Sequence, residues 1–186
     1  MDGTNLVRAK SAYERGDLAT ARTLYEDLAR SGHANALVFL ARMYIDSEGG
    51  AVDLDRAEAL LNQAIALGVQ EGVLQKASLL HARGDAPGYF RSLRDASNLG
   101  ILPAQYRLAL CYETGEGVAR DSDRGLEIMR AAAKRGHLGA QIFLARRLLR
   151  NPLRVVDFLT GLYVLISATL KSLYQIFRDP YSDRLR

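Results

Sequence analysis

Four glycines, Gly32, Gly68, Gly100 and Gly136, divide most of this chain into segments of 36, 32 and 36 residues, and the same short pattern follows each of them. Four positions later stands a small residue, Ala36, Gly72, Ala104 or Ala140; nine positions later stands Ala41, Ala77, Ala109 or Ala145. Small residues at these places allow helices to approach closely. A period of this length marks an array of identical supersecondary units, each of which gains its core from its neighbours. Tyr44 and Tyr112 hold the same place in two copies, and Leu80 and Leu148 hold it in the others.

The clearest copy is 101–136. Ala104, Leu108, Ala109 and Tyr112 line one stripe of a first helix, which Gly115 and Gly117 end. Asp121 is placed to cap a second helix carrying Leu126, Met129, Ala132 and Ala133, and Gly136 stops it. Residues 5–31 form a simpler pair around the turn Gly16-Asp17, with Ala9 and Tyr13 on one stripe and Ala21, Tyr25, Leu28 and Ala29 on the other. The hairpins therefore run about 5–32, 33–68, 69–100 and 101–136, with a partial copy at 137–150. Together they make a repeat domain over 1–150. The copy at 69–100 is four residues shorter at its turn, Arg83 to Gly88, and places Gly72 and Lys76 where other copies are apolar. It is expected to be the least stable unit.

Composition agrees with helix throughout. The chain has 186 residues, 48% hydrophobic and 25% charged, with four prolines and no tryptophan, which suits one all-α domain with a sizeable core. A net charge of +4 is made of interspersed acids and bases rather than a basic tract, so no nucleic-acid partner is expected. Cys111, the single cysteine, lies on an apolar stripe and reads as a buried thiol. The opening MDGTNLVRAKSAYERGD lacks the basic start, apolar run and cleavage site of a secretory signal, so the expected location is the cytoplasm.

The run Ala104…Leu108-Ala109…Tyr112…Gly115-Glu116-Gly117-Val118…Asp121…Ala132-Ala133…Gly136 resembles the Sel-one-like repeat, a relative of the tetratricopeptide repeat. The resemblance covers roughly 33–150 and is closest in 101–136. In 33–68, Ser47-Glu48-Gly49-Gly50-Ala51-Val52 replaces the usual glycine turn, and the match in 69–100 is weak. Residues 5–32, with Gly16-Asp17, Ala21 and Tyr25, look more like a plain tetratricopeptide hairpin. The resemblance implies a right-handed α-solenoid of stacked helix-turn-helix repeats serving as a non-catalytic adaptor. Bacterial relatives of this kind commonly serve cell-envelope, exopolysaccharide or signalling assemblies.

Beyond residue 150 the pattern changes. Asn151-Pro152 replaces the glycine turn and aspartate cap, and Pro152 suits the first turn of a new helix. Residues 151–178 read as a long apolar helix, followed by an extended tail at 179–186. From Phe158 to Phe177 only Lys171 is charged. Its length permits a membrane span. Against a span, Asp157, Thr160, Ser167, Lys171, Gln175 and Arg178 form a narrow polar line; that line, with Arg147, Arg150 and Arg154 before the helix and Arg178, Arg184 and Arg186 after it, fits a helix lying in a membrane interface. Three readings stay open: a cap on the last repeat, membrane contact through 155–178, or contact with a partner helix. The contacting residues in the last two are Phe158, Leu162, Leu165, Ile166, Leu170, Leu173 and Phe177.

Catalytic equipment is sparse. His33 and His137 each follow a repeat glycine, as surface residues at helix starts do, and neither has a second ligand at metal spacing. Gly115-Glu116-Gly117 lacks the lysine of a phosphate loop. No enzyme activity, cofactor, metal or small-molecule substrate is expected. What a solenoid offers is its concave face. By the tetratricopeptide resemblance that face falls on Leu6, Lys10, Tyr13, Val38, Arg42, Ile45, Leu74, Ser78, His81, Tyr106, Leu110, Glu113, Ile142 and Arg146. Such a mixture of apolar and basic groups suits a peptide or helix of another protein. The competing reading is that Val38, Leu74, Tyr106 and Ile142 fill contacts between adjacent repeats. The expected function is a protein-binding scaffold, with a membrane-integrated accessory subunit of a transport or synthase complex as the alternative.

Overall fold

The computed structural model describes residues 2–149 and 155–178. Asn151-Pro152, Arg150, Arg154 and the tail 179–186 lie outside the described residues, as do the side chains of Asp157, Phe158, Gln175, Phe177 and Arg178. The described residues form ten helices and no strand: α1 (Asp2–Glu14), α2 (Leu18–Arg30), α3 (Ala34–Ile45), α4 (Leu54–Ala66), α5 (Glu71–Ala82), α6 (Ala86–Asn98), α7 (Leu102–Thr114), α8 (Ser122–Lys134), α9 (Leu138–Leu149) and α10 (Val155–Arg178).

Short local rules set the boundaries of these helices. Each of four second helices begins at an aspartate whose Oδ1 accepts a backbone N–H three residues on: Asp17 from Thr20 at 3.2 Å, and Asp53 from Arg56, Asp85 from Gly88 and Asp121 from Arg124 at 2.9 Å each. Each acceptor satisfies a donor the helix itself leaves open, worth about 1 kcal/mol. The same helices end at Gly32, Gly68, Gly100 and Gly136, all at positive φ. The N–H that follows each glycine reaches back to a carbonyl of the last turn: His33 to Leu28, Val69 to Ala64, Ile101 to Ala96 and His137 to Ala132. That closure needs a left-handed residue, which glycine adopts without penalty.

The chain divides into two compact units, residues 1–101 with 116–118, and residues 102–115 with 119–186. In the first, α1 pairs with α2, α3 with α4 and α5 with α6, while α2 packs on α3 and α4 on α5. Its core holds Tyr25, Leu28, Leu40, Met43, Tyr44, Leu61 and Leu79 among small residues such as Ala9, Ala21, Ala36, Ala41 and Ala57. Tyr25 stacks on Phe39 with ring centroids 5.4 Å apart. The Tyr44 hydroxyl donates to Glu26 at 2.8 Å, and burial, then that carboxylate, push its pKa up.

The two long turns follow one plan. Gly49 lies against the Leu18 carbonyl and Gly117 against the Ala86 carbonyl, each at positive φ and each too close to backbone for a Cβ. Leu18 and Ala86 are the first residues of α2 and α6. Each turn thus lands on the start of a second helix in the hairpin before it. The shorter turn of 83–85 has Arg83 instead, which donates to Glu58 at 2.6 Å and to Asp55 at 2.7 Å.

In the second unit α7 pairs with α8, α8 packs on α9 and α9 pairs with α10. Ala109, Met129, Ala132 and Ala140 are its buried centre. The sequence pattern left 137–150 as a partial copy, but α10 supplies the missing second helix. Gly125 of α8 faces the Ala109 carbonyl, which would stand 2.9 Å from a Cβ there; Gly161 of α10 faces the Ala145 carbonyl at the same 2.9 Å. Ala132 and Ala168, seven residues further on, are both fully buried. No glycine stands where Gly136 ends α8; Ser172 takes that place, and α10 continues to Arg178.

Among the described residues no helix is long and apolar enough to cross a membrane.

Candidate functional site

The first-helix face proposed for docking is built differently in the two units. In the unit of α1–α6, Leu6, Tyr13 and Ile45 pack against the core rather than standing free. The Tyr13 hydroxyl donates to Glu48 Oε1 at 2.9 Å. The Arg42 guanidinium lies 5.5 Å from the Tyr13 ring centroid and 5.2 Å from that of Phe39, within cation–π range. Arg42 is therefore held over two rings and is half-buried. Val38, Leu74 and Ser78 are also half-buried, while Lys10 is exposed.

His81 is exposed, but its Nε2 stands 3.3 Å from Glu116 Oε1 and its ring meets the edge of Tyr89 at 5.0 Å. The Tyr13–Glu48 and His81–Glu116 pairs are one device used twice, because both members are displaced by 68 residues. Each glutamate sits in a long turn and reaches the end of a first helix in the preceding hairpin. These two groove positions anchor turns. Glu48 and Glu116 stand within the turn motifs, but only the shared offset of 68 residues pointed to the partners they reach.

In the unit of α7–α10, Tyr106 and Leu110 pack against the core. Tyr106 stacks on His137 with centroids 4.6 Å apart, and its ring lies 3.2 Å from where a Cβ on Gly139 would be. His137 is not a plain surface residue. Its Nδ1 accepts the Ala140 N–H at 3.1 Å and so caps α9, and burial, then the neighbouring Arg107, hold its pKa below the usual histidine range. Glu113 accepts from Arg147 at 3.3 Å. Ile142 is half-buried and Arg146 exposed. Tyr106 thus fills a contact between α7 and the start of α9.

On α10, Leu162, Ile166, Leu170 and Leu173 are exposed, whereas Leu165 is half-buried. Leu159, Tyr163 and Tyr174 join the exposed set and had not been singled out. Among the described residues no cluster of three or more His, Cys, Asp or Glu could hold a metal ion.

Comparison with known proteins agrees with the repeat architecture. Residues 34–69 and 102–137 each match the Sel1 repeat. The chain is similar to an exopolysaccharide production negative regulator of Rhizobium meliloti, 26% identical over 148 residues, covering 70% of this chain and 55% of the relative. A shorter stretch of 56 residues is 46% identical to the alginate biosynthesis protein AlgK of Pseudomonas aeruginosa, 30% of this chain and 12% of that protein. The chain spans about half the length of the first of these. Its fold is similar to the crystal structure of a Sel1 repeat protein from Oxalobacter formigenes, with a TM-score of 0.69 at 21% identity over 92% of this chain and 73% of that one. The capped hairpins, their spacing and these matches show two Sel1 repeats within a fold that is all-helical among the described residues.

Proposed function

We propose that the chain is a non-catalytic scaffold that docks another protein on the first helices α1, α3 and α5, within a bacterial assembly that regulates or produces exopolysaccharide. Sel1 repeats in general mediate protein–protein binding. The observation that carries the setting is the pair of relatives named for exopolysaccharide regulation and alginate biosynthesis. The observation that supports the face is its composition once Tyr13 and His81 are assigned to turn anchoring: half-buried Val38, Leu74 and Ser78, with exposed Lys10 on the first of these helices. Apolar surface flanked by a base suits an amphipathic segment bearing an acidic group.

The test is genetic and quantitative. Deleting the coding sequence in the host should change exopolysaccharide per cell, and wild-type protein should restore it. Lys10→Glu combined with Leu74→Asp should fail to restore it while the purified variant keeps its far-UV circular dichroism. Unchanged polysaccharide on deletion counts against the setting; full restoration by the variant counts against the face.

A further inference from the structure

One row of α10 departs from every second helix with which it shares a register. The solvent row of α6 is Pro87, Arg91, Arg94 and Asn98, and that of α8 is Asp123, Glu127, Arg130 and Lys134, all exposed. The same row of α10 is Leu159, Tyr163, Ile166 and Leu170, which are 57%, 73%, 51% and 61% exposed, and Leu173 extends it. α9 covers the opposite side of α10, through Gly161 and Ala168. The row is therefore apolar without serving the core of its own hairpin.

The spacing of the row says what it fits. Its steps are 4, 3, 4 and 3 residues, the 3.5-residue repeat along which one helix seats its side chains between those of another. We propose that this row is a homodimer interface, in which α10 packs against α10 of a second copy of the chain. Leu162 and Tyr174, also exposed, widen the face on either side of the row. A two-fold contact must be self-complementary. An uncharged row meets that condition with itself and places no like charges across the axis.

A lipid surface is the competing occupant, because bases flank α10 in the sequence as they flank helices that lie in a membrane interface, and the vesicle arm of the test separates the two. The contact is independent of the docking face on α1, α3 and α5.

The test places four acids on the row in the full chain, so that like charges meet whichever way the two helices run: Leu159→Asp, Tyr163→Glu, Ile166→Asp and Leu170→Glu together. Light scattering behind size exclusion should give the mass of two chains for the wild type and of one for the variant. Self-association should weaken at least about 100-fold, because each charge would be buried unpaired across the contact. Ile166→Arg alone serves as the second variant should the fourfold change reduce helicity, and it should also dissociate the pair. A wild type with the mass of one chain overturns the proposal, and so does a dimer that survives both variants. Co-sedimentation with phosphatidylglycerol vesicles by a wild type that is monomeric without them overturns it in favour of lipid.

Discussion

α8 and α10 occupy the same place in consecutive hairpins and meet their partners through the same feature, a glycine facing an alanine carbonyl. Their inner faces are nearly interchangeable: Gly125, Met129 and Ala132 on one, Gly161, Leu165 and Ala168 on the other. Their outer rows are opposites, charged on α8 and apolar on α10. The inner face of a repeat helix answers to the geometry of its hairpin, so it is copied. The outer face answers only to what lies beyond it, so it is free to diverge, and there the two helices have acquired different surroundings.

The shared inner face gives the largest expected effect. Gly125→Ala and Gly161→Ala should each destabilise the protein by about 1–3 kcal/mol despite alanine's better helix propensity, because the new methyl meets a backbone carbonyl. Chemical denaturation measures both. Equal losses sharpen the equivalence, and a tolerated Gly161→Ala breaks it.

The divergent outer face predicts a gain rather than a loss. Glu127→Leu, Arg130→Ile and Lys134→Leu together should give α8 an adhesive row as well and produce species heavier than the wild type by light scattering. The lost Arg124–Glu127 pair is exposed, and pairs of that kind contribute little to stability, so melting should hardly change.

Asp121→Ala removes the cap that starts α8 and should cost about 1 kcal/mol by thermal or chemical melting. Asp17→Ala, Asp53→Ala and Asp85→Ala should behave alike, since the four caps share their geometry.

The smallest effect concerns His137. Its folded pKa lies below the unfolded value because of burial and Arg107, so its contribution to stability is fully present above about pH 6.5 and is lost as pH falls through the folded pKa. Protonation also removes the Nδ1 lone pair that caps α9. Melting followed from neutral to mildly acid pH should decline less steeply in His137→Asn, which keeps a cap acceptor without a titrating ring. Identical slopes would show that His137 contributes nothing to the acid sensitivity.

Several of these features are legible in the letters alone because they are local. Gly136 at a left-handed closure and Asp121 at a cap each depend on a few neighbouring residues, and the same pair recurs with the repeat. Pairings between hairpins were harder to read. Tyr13 and His81 look like groove residues until Glu48 and Glu116 reach them from later turns. Tyr106 looks like a docking position until His137 stacks on it. α10 was the largest difference: lacking the aspartate cap and glycine stop, it read as an apolar helix outside the repeat. Gly161 and Ala168, each 36 residues after its counterpart in α8, acquire meaning only beside Ala145 and α9.

The sequence by itself determined the period, the all-helical class and the sites where helices start and stop, because capping and left-handed glycine closure are decided within a turn of the chain. The tertiary structure alone decided which apolar side chains are spent on the core and which remain on the surface. Periodicity gives a helix an apolar side, but only the position of its neighbours says whether that side is covered: Leu165 lies half-buried, whereas Ile166, the next residue, faces out.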